Sequence, residues 1–354
     1  HRDGAERTLL TAIERDSSIP QLTDTLIGSA CDRPYAGGGH VLDFCNKAFE
    51  LLEWLGIERI ADILPLVLPG LVNARGGEEN AAWRHPIDLI PPLRETEAVL
   101  PDLIREGEGK HWSGGAALDQ TLLGDDPLEI LDALRQAIRH GAAPSELSKR
   151  VSYAAAMRLA RFALSNDVRD WFNPIHTFTY CNAVHQCVCR ATTPDVVRSI
   201  FHGAISVYMD RFLNVPPAKL PGQRKSLDNL PTDGSLLLDR LLEALDQKHE
   251  VDGAARLVAR YIRLGLPSKP LINQLTFAVM REDLDFHALQ VLEAGVRQIE
   301  LWPKGSIQVE HILVGVTRYV AAQCPTQRAG LQTARIALRL HRGDAIYEDD
   351  EDAS

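Results

Sequence analysis

Apolar residues along most of this chain recur every three or four positions, the spacing that lines one face of a helix. Leu128, Leu131, Leu134, Ala137 and Ile138 show it plainly. Asp126-Pro127 in front of them gives an N-cap with proline in the first turn, and Gly141 behind them is a stop signal. Leu147, Val151, Ala154, Ala155, Leu159 and Phe162 then line one side of a second helix over 145–162. The same helix pair is expected at 6–15 with 19–31, and at 251–264 with 268–281. Strand-like alternation is nearly absent, so the expected class is all-α.

The three pairs resemble one another. Ile13, Leu22 and Arg33 match Ile138, Leu147 and Arg158 without a gap, and Ile262, Leu271 and Arg281 follow with a residue dropped. Each series leads to a histidine expected to open a third helix: His40 over 40–55, His176 over 176–190 and His287 over 287–301. Fourth helices are expected over 58–73, 194–213 and 306–323, with Tyr208 falling on Tyr319 in the last two units. Self-similarity of this kind marks a repeated supersecondary unit, here three pseudo-repeats of about four helices each with long loops between repeats. The expected division is repeat one over 1–75, a long loop insertion over 76–124, repeat two over 125–213, a linker over 214–234, repeat three over 235–325, and a capping helix with an acidic tail over 326–354.

Composition narrows the function. At 354 residues the chain can bury a large core, and 45% hydrophobic with 24% charged residues is ordinary for a soluble protein. A net charge of -10 without a long basic run argues against nucleic-acid binding. Part of the acidic excess is the run from Glu348 to Asp352, read as a solvated end. No apolar stretch reaches the roughly 20 residues a membrane span needs, and no secretory leader is visible. The six cysteines mostly sit inside apolar helical patterns and lack zinc-site spacing, which fits reduced core thiols in a cytoplasmic protein.

The candidate chemistry lies on the histidine-led helices. His40, Asp43 and Lys47 share a face behind Gly37-Gly38-Gly39, whose missing side chains let the backbone approach a neighbour closely. His176, Thr179 and Tyr180 share a face of the second such helix, and His185 points about half a turn away at 100° per residue. His287 and Gln290 share a face of the third. Neutral imidazole is the commonest metal ligand, and three histidines with a carboxylate suit zinc or iron. Units closed around one axis would bring His40, His176 and His287 together; an open solenoid would leave them in a row. A histidine at a helix start also serves as a simple cap. Arg33, Arg158 and Arg281 either neutralise a helix C-terminus or clamp an anionic cofactor or substrate. His202, with Ser206 and Met209 on its face, is a further candidate, as are His85 and His111 in the long insertion. No Walker-A loop, nucleophile elbow, HExxH or dinucleotide fingerprint occurs, and paired ExxH motifs are absent.

The stretch from His140 through Tyr153-Ala-Ala-Ala, His176 to His185, and Phe201-His202-Gly203 to Pro216 resembles an uncharacterised all-helical family associated with, and sometimes fused to, Rieske [2Fe-2S] domains. Residues 37–46 and 282–298 fit the same family. More remotely, the histidine-led helices resemble the questin oxidases, which oxidise aromatic polyketides. The resemblance implies redox chemistry, a small-molecule substrate and a Rieske-type partner. The chain itself has no Cys-x-His and Cys-x-x-His pair, so a [2Fe-2S] electron donor would have to be external to these residues.

Together these observations lead to the expectation of a metal-dependent oxidoreductase with a histidine-lined cavity. His40, His176 and His287 are the expected iron ligands. Asp43, Tyr180, His185 and His202 are expected catalytic groups, and Arg33, Arg158 and Arg281 cofactor-binding ones. The alternatives are a non-enzymatic helical scaffold and a metal-free ligand-binding protein.

Overall fold

The computed structural model describes residues 1–248 and 250–344; the acidic run over 348–352 lies outside the described residues. Among the described residues the chain is all-α, with no strand. None of its helices is long and apolar enough to cross a membrane. The chain divides into two compact units, one of residues 1–218 with 297–302, the other of 219–296 with the described residues from 303 onward.

In the first unit the longer helices are α1 (Arg2–Glu14), α2 (Ile19–Cys31), α3 (His40–Leu55), α4 (Ile90–Gly107), α5 (Pro127–Arg139), α6 (Pro144–Ala160), α7 (Phe172–Arg190) and α8 (Pro194–Met209). Helix α7 is their common neighbour: α2, α3, α6 and α8 all pack on it. Ile175, Phe178, Tyr180, Val184 and Val188 point to different sides and all are buried, the mark of a helix enclosed by others. Ala154, Ala155 and Ala156 bring α6 close against it. Each fully buried Phe, Ile or Val contributes about 1.5–3 kcal/mol, so truncating Phe178 to alanine would cost about 3–5 kcal/mol. The polar groups of α7 are answered from neighbours. Gln298 Nε2 donates to Asn182 Oδ1 at 2.9 Å, and Ser148 Oγ lies 3.0 Å from His185 Nδ1.

The second unit holds α9 (Gly234–Leu245), α10 (Val251–Arg263), α11 (Ser268–Arg281), the start of α12 (Phe286–Ile299), α13 (Ile307–Gln323) and α14 (Ala329–Arg342). Its main packing sets α10 on α13, with α9 against both. Buried Arg318 of α13 pairs with Asp252 of α10, and Arg263 Nε and Nη2 each donate to Glu310 at 2.7 Å.

The boundaries expected from sequence hold where caps are explicit. Asp126 Oδ1 accepts the backbone N–H groups of Leu128 and Glu129, and Gly141 takes a left-handed φ of 90° after the helix. Three expectations are corrected. The expected loop over 76–124 contains the 18-residue α4, because Pro91 and Pro92 sit in its first turn, where proline is favoured, rather than in a turn. The expected helix 58–73 is a string of short helical turns, interrupted by Pro65, Pro69 and Gly70. His176 does not open its helix: α7 starts at Phe172, one turn earlier. The cause lies in the preceding insertion. Asp167 and Asp170 cap a 3-10 turn there, and Trp171 is buried in a stack on Phe162, 3.9 Å between ring centroids.

Candidate functional site

His40 is the first residue of α3, directly after three glycines with left-handed φ values of 60°, 65° and 93°. An L-residue is strained there, and at Gly39 a Cβ would also come within 3.0 Å of Tyr35 and 3.2 Å of Tyr180. The glycines thus admit two tyrosines against the turn that presents His40. His40 Nδ1 lies 3.2 Å from the Gly37 carbonyl. A carbonyl only accepts, so the neutral ring carries its proton on Nδ1 and its lone pair on Nε2.

His176 stands across from it, in the second turn of α7. The two imidazoles meet edge to face with centroids 4.4 Å apart, and they offer ligand nitrogens within 4.8 Å of each other. Both are half-buried, with Phe44 stacked on His40 and Phe172 tilted against His176. Asp43, one turn after His40, is buried at 2% exposure. Lys47 of the same face instead reaches Glu50 at 2.8 Å.

His176 also lines a cavity of 710 Å³ formed with Tyr35, Trp83, Thr177, Asp210 and Phe212, and with Arg75 at its exposed rim. That size suits a small organic molecule. Tyr35 holds its wall together. It stacks on Trp83 at 5.9 Å, meets Tyr180 edge-on at 5.0 Å, and places its hydroxyl 3.5 Å from Thr177 Oγ1. Its own φ is 52°, a strained conformation for a tyrosine that the surrounding contacts must maintain, and such residues cluster at functional sites. Burial pushes both the Tyr35 and Tyr180 phenols well up, so both stay neutral.

Asp210 closes the inner side, in the 3-10 turn that follows α8. It is 6% exposed, and its Oδ2 has no hydrogen-bond partner in the protein. Burial raises its carboxyl to about 7; a hydrogen bond from Thr177 and the charge of Arg158 oppose the rise without cancelling it. Arg158 makes no hydrogen bond to Asp210. Its guanidinium donates to Val207 O, Asn214 Oδ1 and Leu123 O, all neutral acceptors. Sequence reasoning passed over Asp210, Tyr35 and Trp83. The available signal was a carboxylate directly behind the apolar face of α8 that carries Ser206 and Met209.

The other expected residues lie elsewhere. Tyr180 is buried behind Tyr35 and does not line the cavity. His185 sits between Ser148 and Cys189, and His202 lies 3.2 Å from Glu97; burial lowers the pKa of both imidazoles. Arg33 pairs with Glu79, and Arg281 pairs with Asp246 at 2.7 Å and Glu282 at 3.2 Å. With Arg158, all three expected cofactor-binding arginines have protein partners. His85 and His111 are exposed.

In the second unit His287 is the second residue of α12, half-buried against Phe286. Asp285 accepts its backbone N–H at 3.0 Å and places Oδ2 3.0 Å from Nδ1.

No protein-family model, curated protein or solved structure matches the chain.

Proposed function

We propose that this chain is a metal-dependent oxidoreductase that binds iron through His40, His176 and His287 and takes a small-molecule substrate into the cavity beside His176. The observation that carries the proposal is the edge-to-face pair of His40 and His176, of which His176 lines that cavity. Two half-buried imidazoles from different helices, one with its tautomer set by a carbonyl, make a donor set that fits a divalent transition metal. His287 joins the proposal on its place in the sequence repeat and on the Asp285 carboxylate that backs its ring. The oxidative class and the external Rieske-type [2Fe-2S] donor rest on the family resemblance.

A bound iron supplies the electron-transfer chemistry. The chain supplies the rest. Tyr35, backed by Trp83, and Phe212 give the substrate an aromatic bed. Asp210, with a pKa near neutrality, can hold or release a proton at its carboxylate, as a general acid or base must. Thr177, between the Tyr35 hydroxyl and Asp210, keeps that carboxylate oriented.

Elemental analysis of the purified chain tests the proposal, with His40→Ala, His176→Ala and His287→Ala alongside. About one iron per chain, lost in each folded variant, is expected. No iron, or iron retained in all three variants, would overturn it.

A further inference from the structure

We propose that the cavity recognises a small organic cation: a protonated amine whose ammonium group pairs with Asp210 and whose body lies on Tyr35 and Phe212. The inference rests on the cavity being the ligand site and does not need the metal.

The starting point is a charge without a partner. Buried carboxylates in folded proteins are paired, bound to metal or neutralised, because an isolated ion in a low-dielectric site is costly. Asp210 is more than nine-tenths buried, lines the cavity, and leaves Oδ2 without a protein partner. The nearby cation that could have satisfied it, Arg158, spends its hydrogen bonds on two backbone carbonyls and an amide. Thr177 supplies a single hydroxyl. The carboxylate is therefore held ready for a donor that the chain does not provide.

The surrounding wall selects the donor's kind. Aromatic rings carry negative charge on their faces and attract cations, tryptophan most strongly. Trp83 is 4% exposed and stacked on Tyr35, so it backs the Tyr35 ring and fixes its position, while Tyr35 and the exposed Phe212 are the rings open to a ligand. The other acid of the wall, Glu79, is already taken by Arg33. Arg75, the cation of the lining, is exposed at the rim, where water screens it. An anionic ligand would meet the Asp210 carboxylate unscreened, and a neutral donor would answer it with a hydrogen bond but leave its charge uncompensated. An ammonium group answers it with a charge-assisted hydrogen bond.

The test is calorimetric titration of the full chain, stripped of metal with EDTA, at pH 7.5 with three probes of one shape: benzylamine, benzyl alcohol and benzoate. Benzylamine is expected to bind at least tenfold more tightly than the other two. Asp210→Asn, similar in size and uncharged, is expected to lose at least tenfold in benzylamine affinity and much less in benzyl alcohol affinity. Tightest binding of benzoate, equal binding of all three probes, or no binding of any would overturn the proposal. So would benzylamine affinity unchanged in Asp210→Asn. The probe series needs only the wild-type chain, so it decides the matter even if the variant fails to fold. Because metal is removed, binding of benzylamine by a chain that never takes up iron would leave this inference standing and end the metalloenzyme proposal; uptake of iron with no benzylamine binding would do the reverse.

Discussion

Asp210 and Glu310 are both buried carboxylates next to a helix end, and they are treated in opposite ways. Glu310, 2% exposed in the first turn of α13, receives two hydrogen bonds of 2.7 Å from the Arg263 fork. Asp210, 6% exposed at the end of α8, receives one hydroxyl and faces a cavity. The first arrangement satisfies a charge within the fold. The second leaves a charge unsatisfied, which a structure tolerates where a ligand or a reaction makes use of it. The difference separates a carboxylate satisfied within the fold from one left facing a cavity, without any motif.

The comparison is broken most sharply by neutralising Asp210. Its carboxyl is raised from 3.8 to about 7, so between those values the folded chain binds more protons than the unfolded one. Stability therefore falls as pH rises from about 4 to 7, and the penalty is complete above that window. Each tenfold change in proton affinity is worth about 1.4 kcal/mol, so Asp210→Asn should remove a penalty of roughly 3–5 kcal/mol. Urea denaturation at pH 8 should show the variant more stable than wild type, and its stability should no longer decline across that window. A less stable variant at pH 8 would mean that the carboxylate is paired after all.

Glu310→Gln should act the other way. It deletes the charge that Arg263 grips, and burial makes the loss matter. Arg263 is 43% exposed, however, so solvent screens part of the effect. A loss of about 1–2 kcal/mol is expected in the same denaturation experiment. A stabilised Glu310→Gln would erase the contrast between the two sites.

A third buried pair sharpens the comparison with the smallest effect. Burial lowers the pKa of His202, and Glu97 only partly restores it. The unfolded chain then binds more protons just below the ordinary histidine value, so this pair contributes stability above about pH 6.5 and loses it as pH falls. Buried His185 acts in the same direction. His202→Gln should flatten the acid side of the stability profile by up to about 1 kcal/mol at pH 5.5. An unchanged acid limb would place the titration elsewhere.

The elements were legible in the sequence to the degree that local chemistry set them. Asp126-Pro127 and Gly141 fixed α5, and the three glycines placed the start of α3 at His40, because caps and left-handed turns are local. Helix α4 was hidden by Pro91-Pro92, which reads equally as a turn or a first helical turn; what favours the helix is the buried line of Ile90, Leu93, Leu100 and Leu103. His40 and His176 could be singled out as chemical, but their meeting depends on α3 packing on α7. Asp210 showed only as a carboxylate behind α8, without any sign that it is unpaired. Nothing in its neighbours along the chain shows that Arg158, whose charge acts on it, is turned to backbone carbonyls and Asn214 instead.

The central claim is that the paired imidazoles of His40 and His176, beside the cavity, hold a metal ion. Its most direct test is a visible-absorption titration of the metal-stripped chain with Co(II), in wild type, His40→Ala, His176→Ala and Asp210→Asn. The account predicts saturable bands at about one Co(II) per chain, an affinity reduced about 10–100-fold or more in each histidine variant, and unchanged binding in Asp210→Asn. Equal Co(II) binding by wild type and both histidine variants would contradict it.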